Sequence, residues 1–268
     1  MLAPIVIYFA LFFVLPVARL LLLSVWDSGP TIAPFLEIFG HKEYLGIILT
    51  TAKLSVGVTA LTLLLGFPVA IYLARLSGWA LALGMFLVVF PLLTSVLVRS
   101  FAWMTILGRQ GVINEMLIVL GLTAQPLKLL YNQFGIYVGM VHVLLPIAVV
   151  TMYGVVKGID THILKAAAVL GAPPVQVFLR VFLPLSAPGI TAAGLLVFIA
   201  SASAYITPVL LGGSGHTMIA ALIGDQIQET LNWPLGAAMS VILLVVSMLA
   251  FTYYFRFTQG AGAPLSGA

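Results

Sequence analysis

Few residues of this chain are suited to chemistry, and most of those lack the partners that chemistry requires. Gly212-Gly213-Ser214-Gly215 places a serine among glycines. A serine nucleophile needs a histidine within hydrogen-bond reach to take its proton. The last of the four histidines is His216, almost beside Ser214, and none follows in the apolar run from Pro234 to Phe255. The glycines fit a flexible loop better than a nucleophile mount. Cysteine is absent, which removes disulfides, thiol catalysis and thiolate metal ligands together. Four scattered histidines give no ligand spacing for a metal, and no G-x-x-x-x-G-K-[ST] stretch is present to cradle a nucleotide's phosphates. The expectation is a protein that is not an enzyme and that binds no cofactor itself.

The remaining polar candidates sit in apolar surroundings. His142, in VHVLLP, is an ionisable group at membrane depth and so a candidate pathway residue; a neutral packing histidine bonded to a carbonyl is the competing reading. Ser201, Ser203, Tyr205 and Thr207, in FIASASAYITPVLLGG, could line a polar path, although Ser and Thr also serve as ordinary helix–helix hydrogen-bond partners. Arg99, Trp103 and Arg109 read as anchors at a membrane edge.

These residues must be positioned by apolar elements. Of 268 residues 62% are apolar and 7% charged, with a mean hydropathy of +1.22, against roughly 25% charged in a soluble domain. Such a chain cannot cover itself with polar surface, so it belongs in a bilayer as one membrane domain over 1–268. A net charge of +4, dispersed rather than clustered, excludes a nucleic-acid surface. A span needs about 20 mostly apolar residues, and six are expected: Pro4–Trp26, Gly46–Ala74, Trp79–Val98, Phe134–Val156, Pro188–Leu211 and Pro234–Phe255. The first is read as a span and not a signal peptide, because no basic n-region precedes it. An even count puts both termini on one side. Lys and Arg divide almost equally between the two faces, so the positive-inside rule gives no orientation. The acids do segregate: Asp27, Glu37, Glu43, Glu115, Asp225 and Glu229 share one face, and Asp160 alone takes the other.

The connection KGIDTHILKAAAVLGAPPVQVFLRVFLPLSA, residues 157–187, is the most informative stretch. Asp160 or Thr161 can cap a helix running through Leu170. Gly171 can then take the left-handed conformation that ends it. Pro173 or Pro174 can open a second short helix, which Pro184 is expected to stop. Val169, Leu170, Val175, Val177, Phe178 and Leu179 give the pair apolar faces without the length to span. From pattern alone it either docks on a partner or lies flat in the interface.

Lys165 to Pro184 resembles the EAA loop of inner-membrane permease subunits of binding-protein-dependent ABC importers. Ala166 and Ala167 match its alanines, Gly171 its glycine, Val181 its aliphatic position, and Leu183-Pro184 its ending; Lys165 stands where the family usually has Glu. Three ordered blocks extend the resemblance over nearly the whole chain, toward the spermidine/putrescine-type permeases: SVLVRSFAWMTILGRQGVIN, LLYNQFGIYVGMVHVLLP, and ITPVLLGG followed by NWPLGAA. The resemblance implies an all-α polytopic membrane fold, with six transmembrane helices of the type I importer kind and a cytoplasmic coupling helix.

It further implies that Thr161, Leu164, Lys165, Ala166, Ala167, Leu170, Gly171, Ala172 and Pro173 contact a cytoplasmic ATPase. ATP and Mg would then sit on two copies of that ATPase and not on this chain. The remaining implied partners are a second, nonequivalent permease subunit and a periplasmic solute-binding protein contacting loops near 27–45, 99–132 and 212–232. The implied location is the bacterial inner membrane, with cytoplasmic termini. The implied cargo is a small organic solute: a polyamine such as spermidine or putrescine, or a related amine, amino-acid derivative or opine. At Ala204, where relatives often carry Asp or Glu, this chain has no acid. Two other classes stay open on the residues alone. A passive channel suits a kinked bundle with polar linings, but has no use for a docking loop. A rhomboid-like intramembrane protease would use Ser214, but lacks its histidine.

Overall fold

The structure, a computed structural model, describes residues 3–26 and 29–261. Asp27, expected on the acid-rich face, lies outside them. All the regular elements described are helical. In order they are α1 (Pro4–Leu22), α2 (Ala33–Gly40), α3 (Lys42–Arg75), α4 (Gly78–Leu93), α5 (Val96–Leu107) and α6 (Val112–Val119). There follow α7 (Gln133–Lys157), α8 (Thr161–Val169), α9 (Pro174–Ala202), α10 (Ile206–Gly212), α11 (Ile219–Gln228) and α12 (Trp233–Ala261).

Long apolar runs make long helices here because the bilayer offers backbone groups no other partner. The 34 residues of α3 extend about 51 Å at 1.5 Å per residue, beyond a hydrocarbon core of about 30 Å. α3, α7 and α9 pack together as the centre of the bundle. Leu54, Val58, Ala70 and Leu73 of α3 meet Met140, Leu144, Val149 and Met152 of α7 and Ala193 and Val197 of α9. A smaller cluster of Ile38, Ile219, Leu235, Ala238 and Met239 ties α2, α11 and α12 together. The apolar residues left exposed ring the bundle, which is what a lipid-facing surface requires. α1 is the extreme case, with nothing in its apolar window buried.

Three expectations are corrected. The expected third span, Trp79–Val98, is broken: α4 ends at Leu93 and turns through 96° into the α5–α6 segment. The cause is local. Pro91 lies in a 3-10 turn, the Thr94 hydroxyl donates to the Pro91 carbonyl, and the Ser95 side chain accepts from the Leu97 N–H to cap a new helix. Five helices are therefore long and apolar enough to cross alone, or six if the bent pair counts as one crossing.

The expected fifth span, Pro188–Leu211, is shifted toward the N-terminus. Its helix ends at Ala202, and Ile206–Gly212 is a separate short helix beyond a break at residues 203–205. Finally, Pro184 does not stop the second helix of the 157–187 connection, which runs on to Ala202. Proline removes one N–H and crowds the carbonyl four residues back, here that of Arg180. That residue lies in a π-helical turn, Phe178–Phe182, whose wider ring makes the room. Pro16 follows a π turn at Ala10–Val14 in the same way.

Candidate functional site

The α8–α9 connection projects from the end of the bundle where α3 and α7 finish. Asp160 caps α8 by accepting from the His162 N–H at 2.8 Å. Leu170 closes the helix, and Gly171 follows at φ +88° with open space around it. This is the left-handed region, where a Cβ is strained and glycine is not. Pro173 stands before the next helix and Pro174 opens it. Val169 and Leu170 point away from the protein, 87% and 88% exposed. Thr161, Lys165 and Ala166 are exposed, whereas Leu164 and Ala167 are half-buried. Thr161, Leu164 and Ala172 line a groove of about 540 Å³ shared with Arg75, Lys157 and Phe182. Lys157 fastens the connection to the bundle by donating from Nζ to the carbonyls of Ala74 (3.0 Å) and Leu76 (3.4 Å), at the α3 C-terminus. Because α9 continues into the bundle, the pair is not two short helices lying flat: α8 alone is free-standing.

At membrane depth the structure separates the expected pathway residues. Ser201 is fully buried, and its hydroxyl donates to the carbonyls of Phe198 (3.0 Å) and Ser55 (3.5 Å), so it serves helix packing. Ser203 donates back to the Ile199 and Ala200 carbonyls of its own helix. Tyr205 and Thr207, with Val96, Met140 and Ala204, line a cavity of about 310 Å³ between α5, α7, α9 and α10. The hydroxyls of Thr207 and Ser100 share a buried hydrogen bond of 3.1 Å that joins α10 to α5. α10 also lies close on α7: a Cβ at Gly139 would collide with Leu211 and Thr207.

Arg99 and Trp103 are not anchors. The 96° turn carries α5 inward, leaving Arg99 8% exposed, and the Trp103 Nε1–H donates to His142 Nδ1 at 3.2 Å. The indole is thus the partner of His142 where a carbonyl was expected. Residues 99–107, expected in a loop, are helical and partly buried. Sequence spacing held one clue to this: Arg99 and Trp103 are one helical turn apart and so share a face. Arg109, by contrast, is exposed.

At the opposite end from α8, Asn114 was overlooked by sequence reasoning. It is fully buried; its amide donates to the carbonyls of Gly108 (2.9 Å) and Leu127 (3.1 Å) and its oxygen accepts from the Leu127 N–H (2.8 Å). It clamps the 108–127 segment. The Ser214 side chain lies outside what is described; its backbone is in a short 3-10 turn. Among the described residues, no group of three or more His, Asp or Glu is placed to hold a metal.

This architecture has relatives. Residues 1–261 match the family described as binding-protein-dependent transport system inner membrane component. The spermidine/putrescine transport system permease protein PotB of Haemophilus influenzae is 33% identical over 225 residues, 84% of this chain and 78% of the relative. The inner membrane ABC transporter permease protein YdcU of Escherichia coli is 30% identical over 87% of this chain and 76% of its own length. A chain of the bacterial alginate ABC transporter, solved in complex with an alginate pentasaccharide-bound periplasmic protein, superposes with a TM-score of 0.78 at 19% identity. That match covers 99% of this chain and 95% of the other, a likeness of fold. With a helical bundle, a broken span and a free-standing helix at one end, this chain belongs to the binding-protein-dependent transport system inner membrane components, the permease subunits of ABC importers.

Proposed function

We propose that this chain forms one half of the translocation pathway of an inner-membrane importer for a small organic amine, coupled through α8 to a cytoplasmic ATPase. The observation that carries this is the free-standing α8. It is capped at Asp160, ended by Gly171 at φ +88°, and presents Val169 and Leu170 outward. Exposed apolar side chains at the end of a capped helix call for a covering partner. The partner proposed is an ATPase groove that receives Thr161, Leu164, Lys165, Ala166, Ala167, Leu170, Gly171, Ala172 and Pro173. Two ATPase copies carrying ATP and Mg, a second permease subunit and a periplasmic binding protein complete the machine. Closing of the ATPases then rocks the permeases as rigid bodies between two states of access.

The solute class follows the naming of relatives, which points to polyamines; related amines, amino-acid derivatives and opines are the alternatives. The end bearing α8 is proposed to be cytoplasmic, with both termini on that side. Since the chain has no cysteine, single cysteines report topology cleanly. Val169→Cys should react with an impermeant maleimide only from the cytosolic side, and Val119→Cys, in α6, only from the other. The reverse pattern removes the ATPase assignment. ATP-dependent solute uptake by the reconstituted complex tests transport itself, and solute flux without ATP would favour a channel.

A further inference from the structure

Among the described residues, Arg99 is a cation without a counter-ion. It is 8% exposed, and its Nε and Nη1 are shut off from solvent with no hydrogen-bond partner among the described residues. A buried charge left unpaired is strongly unfavourable, and removing one partner of a buried pair is correspondingly costly. One turn along the same helix, Trp103 donates to His142, the two rings meeting edge-on at 5.6 Å. An indole nitrogen only donates, so Nδ1 of neutral His142 is the acceptor and its proton is assigned to Nε2. Arg99 and Trp103 lie four residues apart on α5 and so leave the same face of that helix. The Arg99 N–H groups and the His142 Nε2–H are all donors. The six expected spans contain no acid, and Glu115, in the α6 arm of the broken span, is exposed.

We propose that Arg99, one helical turn from Trp103 on α5, is an anion site within the membrane that takes a carboxylate. A carboxylate is the anion that a guanidinium pairs with best. The carboxylate comes from outside this chain: from the solute, or from the companion permease. The proposal rests on the permease reading and narrows its solute. The cavity walled by Val96, three residues before Arg99 on α5, together with Ala204, Tyr205 and Thr207, offers a polyamine no negative charge and sets a guanidinium on one of its own helices. Like charges repel strongly at low dielectric. Either the solute brings a carboxylate of its own beside its amine, or the companion subunit neutralises Arg99 before a polyamine can pass.

The test uses the purified pair of permeases, without ATP or binding protein, so its outcome is independent of whether import is observed. The probes are 1,4-diaminobutane and 4-aminobutyrate, which share an amine and a short chain and differ in one carboxylate. If the solute is the source, 4-aminobutyrate raises the melting temperature of the wild-type pair and 1,4-diaminobutane does not. Arg99→Gln then weakens the apparent affinity by on the order of tenfold or more, and Arg99→Lys restores part of it. If the companion is the source, neither probe discriminates, and Arg99→Gln lowers recovery of the companion by a similar factor. Arg99→Met removes the charge without burying a new polar end, so a folding defect peculiar to the glutamine variant is separated. Arg99→Met matching wild type in both probe response and companion recovery overturns the anion site.

Discussion

Gly171 offers the sharpest perturbation, because the structure isolates a single cause. Its φ is +88°, and an added Cβ would meet nothing within 4 Å. Any cost of substitution is then backbone strain and not collision. An L-residue held in the left-handed region costs about 1–2 kcal/mol, and a β-branched one lies at or above the top of that range. Asparagine tolerates the region better than other side chains. The expected order of damage is therefore Asn, Ala, Val. At about 2 kcal/mol, Gly171→Val makes the native turn roughly 30-fold less populated against any competing geometry. α8 would then leave its orientation relative to α9 while the bundle stays intact, since neither α3 nor α7 touches Gly171. In proteoliposomes containing the whole complex, ATP hydrolysis should persist while ATP-driven uptake falls on the order of tenfold. Gly171→Asn should stay close to wild type. If Val and Asn behave alike, or if Gly171→Val transports normally per ATP, left-handed strain is not what orients α8 and the coupling assignment fails.

Three further outcomes are expected. Asn114→Leu strips three hydrogen bonds from the 108–127 segment and takes from the Leu127 N–H its acceptor. That should cost about 2–4 kcal/mol locally and speed amide exchange there while α3 and α7 stay protected. Thr51→Val removes the hydroxyl that accepts from the buried Ile219 N–H at 2.8 Å, so the start of α11 should loosen by about 1–3 kcal/mol. A lower melting temperature of the complex with unchanged ATP hydrolysis reports it. Ser214→Ala should transport as wild type; lost proteolysis of a membrane substrate in that variant would instead support the protease alternative.

The helical bundle was readable in the sequence because a bilayer narrows the choices. An apolar run of about 20 residues has one stable backbone solution there. Composition and local pattern located Lys42–Arg75 and Gln133–Lys157 to within a few residues, and the start of Trp233–Ala261 to within one. The α8 turn was equally legible, because Asp160, Gly171 and Pro174 act on backbone within a few residues of themselves and need no distant neighbour. Proline misled where its effect depends on context. Pro184 reads as a stop, yet a π turn over Phe178–Phe182 absorbs it, while Pro91, with Thr94 and the Ser95 cap, ends its helix.

What local pattern could not reach was the inward face of α5. A lone Arg and Trp near the end of an apolar run look like interfacial anchors, and only the 96° turn after α4 puts them inside. Ser100 with Thr207, Trp103 with His142 and Thr51 with Ile219 are partners across 107, 39 and 168 residues. Sequence by itself determined the solvent, the helices and the glycine-hinged projection, because each follows from hydrophobicity or from backbone geometry a few residues long. Tertiary structure alone decided which polar groups meet at membrane depth and which, like Arg99, have buried nitrogens with no partner among the described residues. Side-chain pairing depends on how broken helices cross, and no periodicity in one helix records the angle of another.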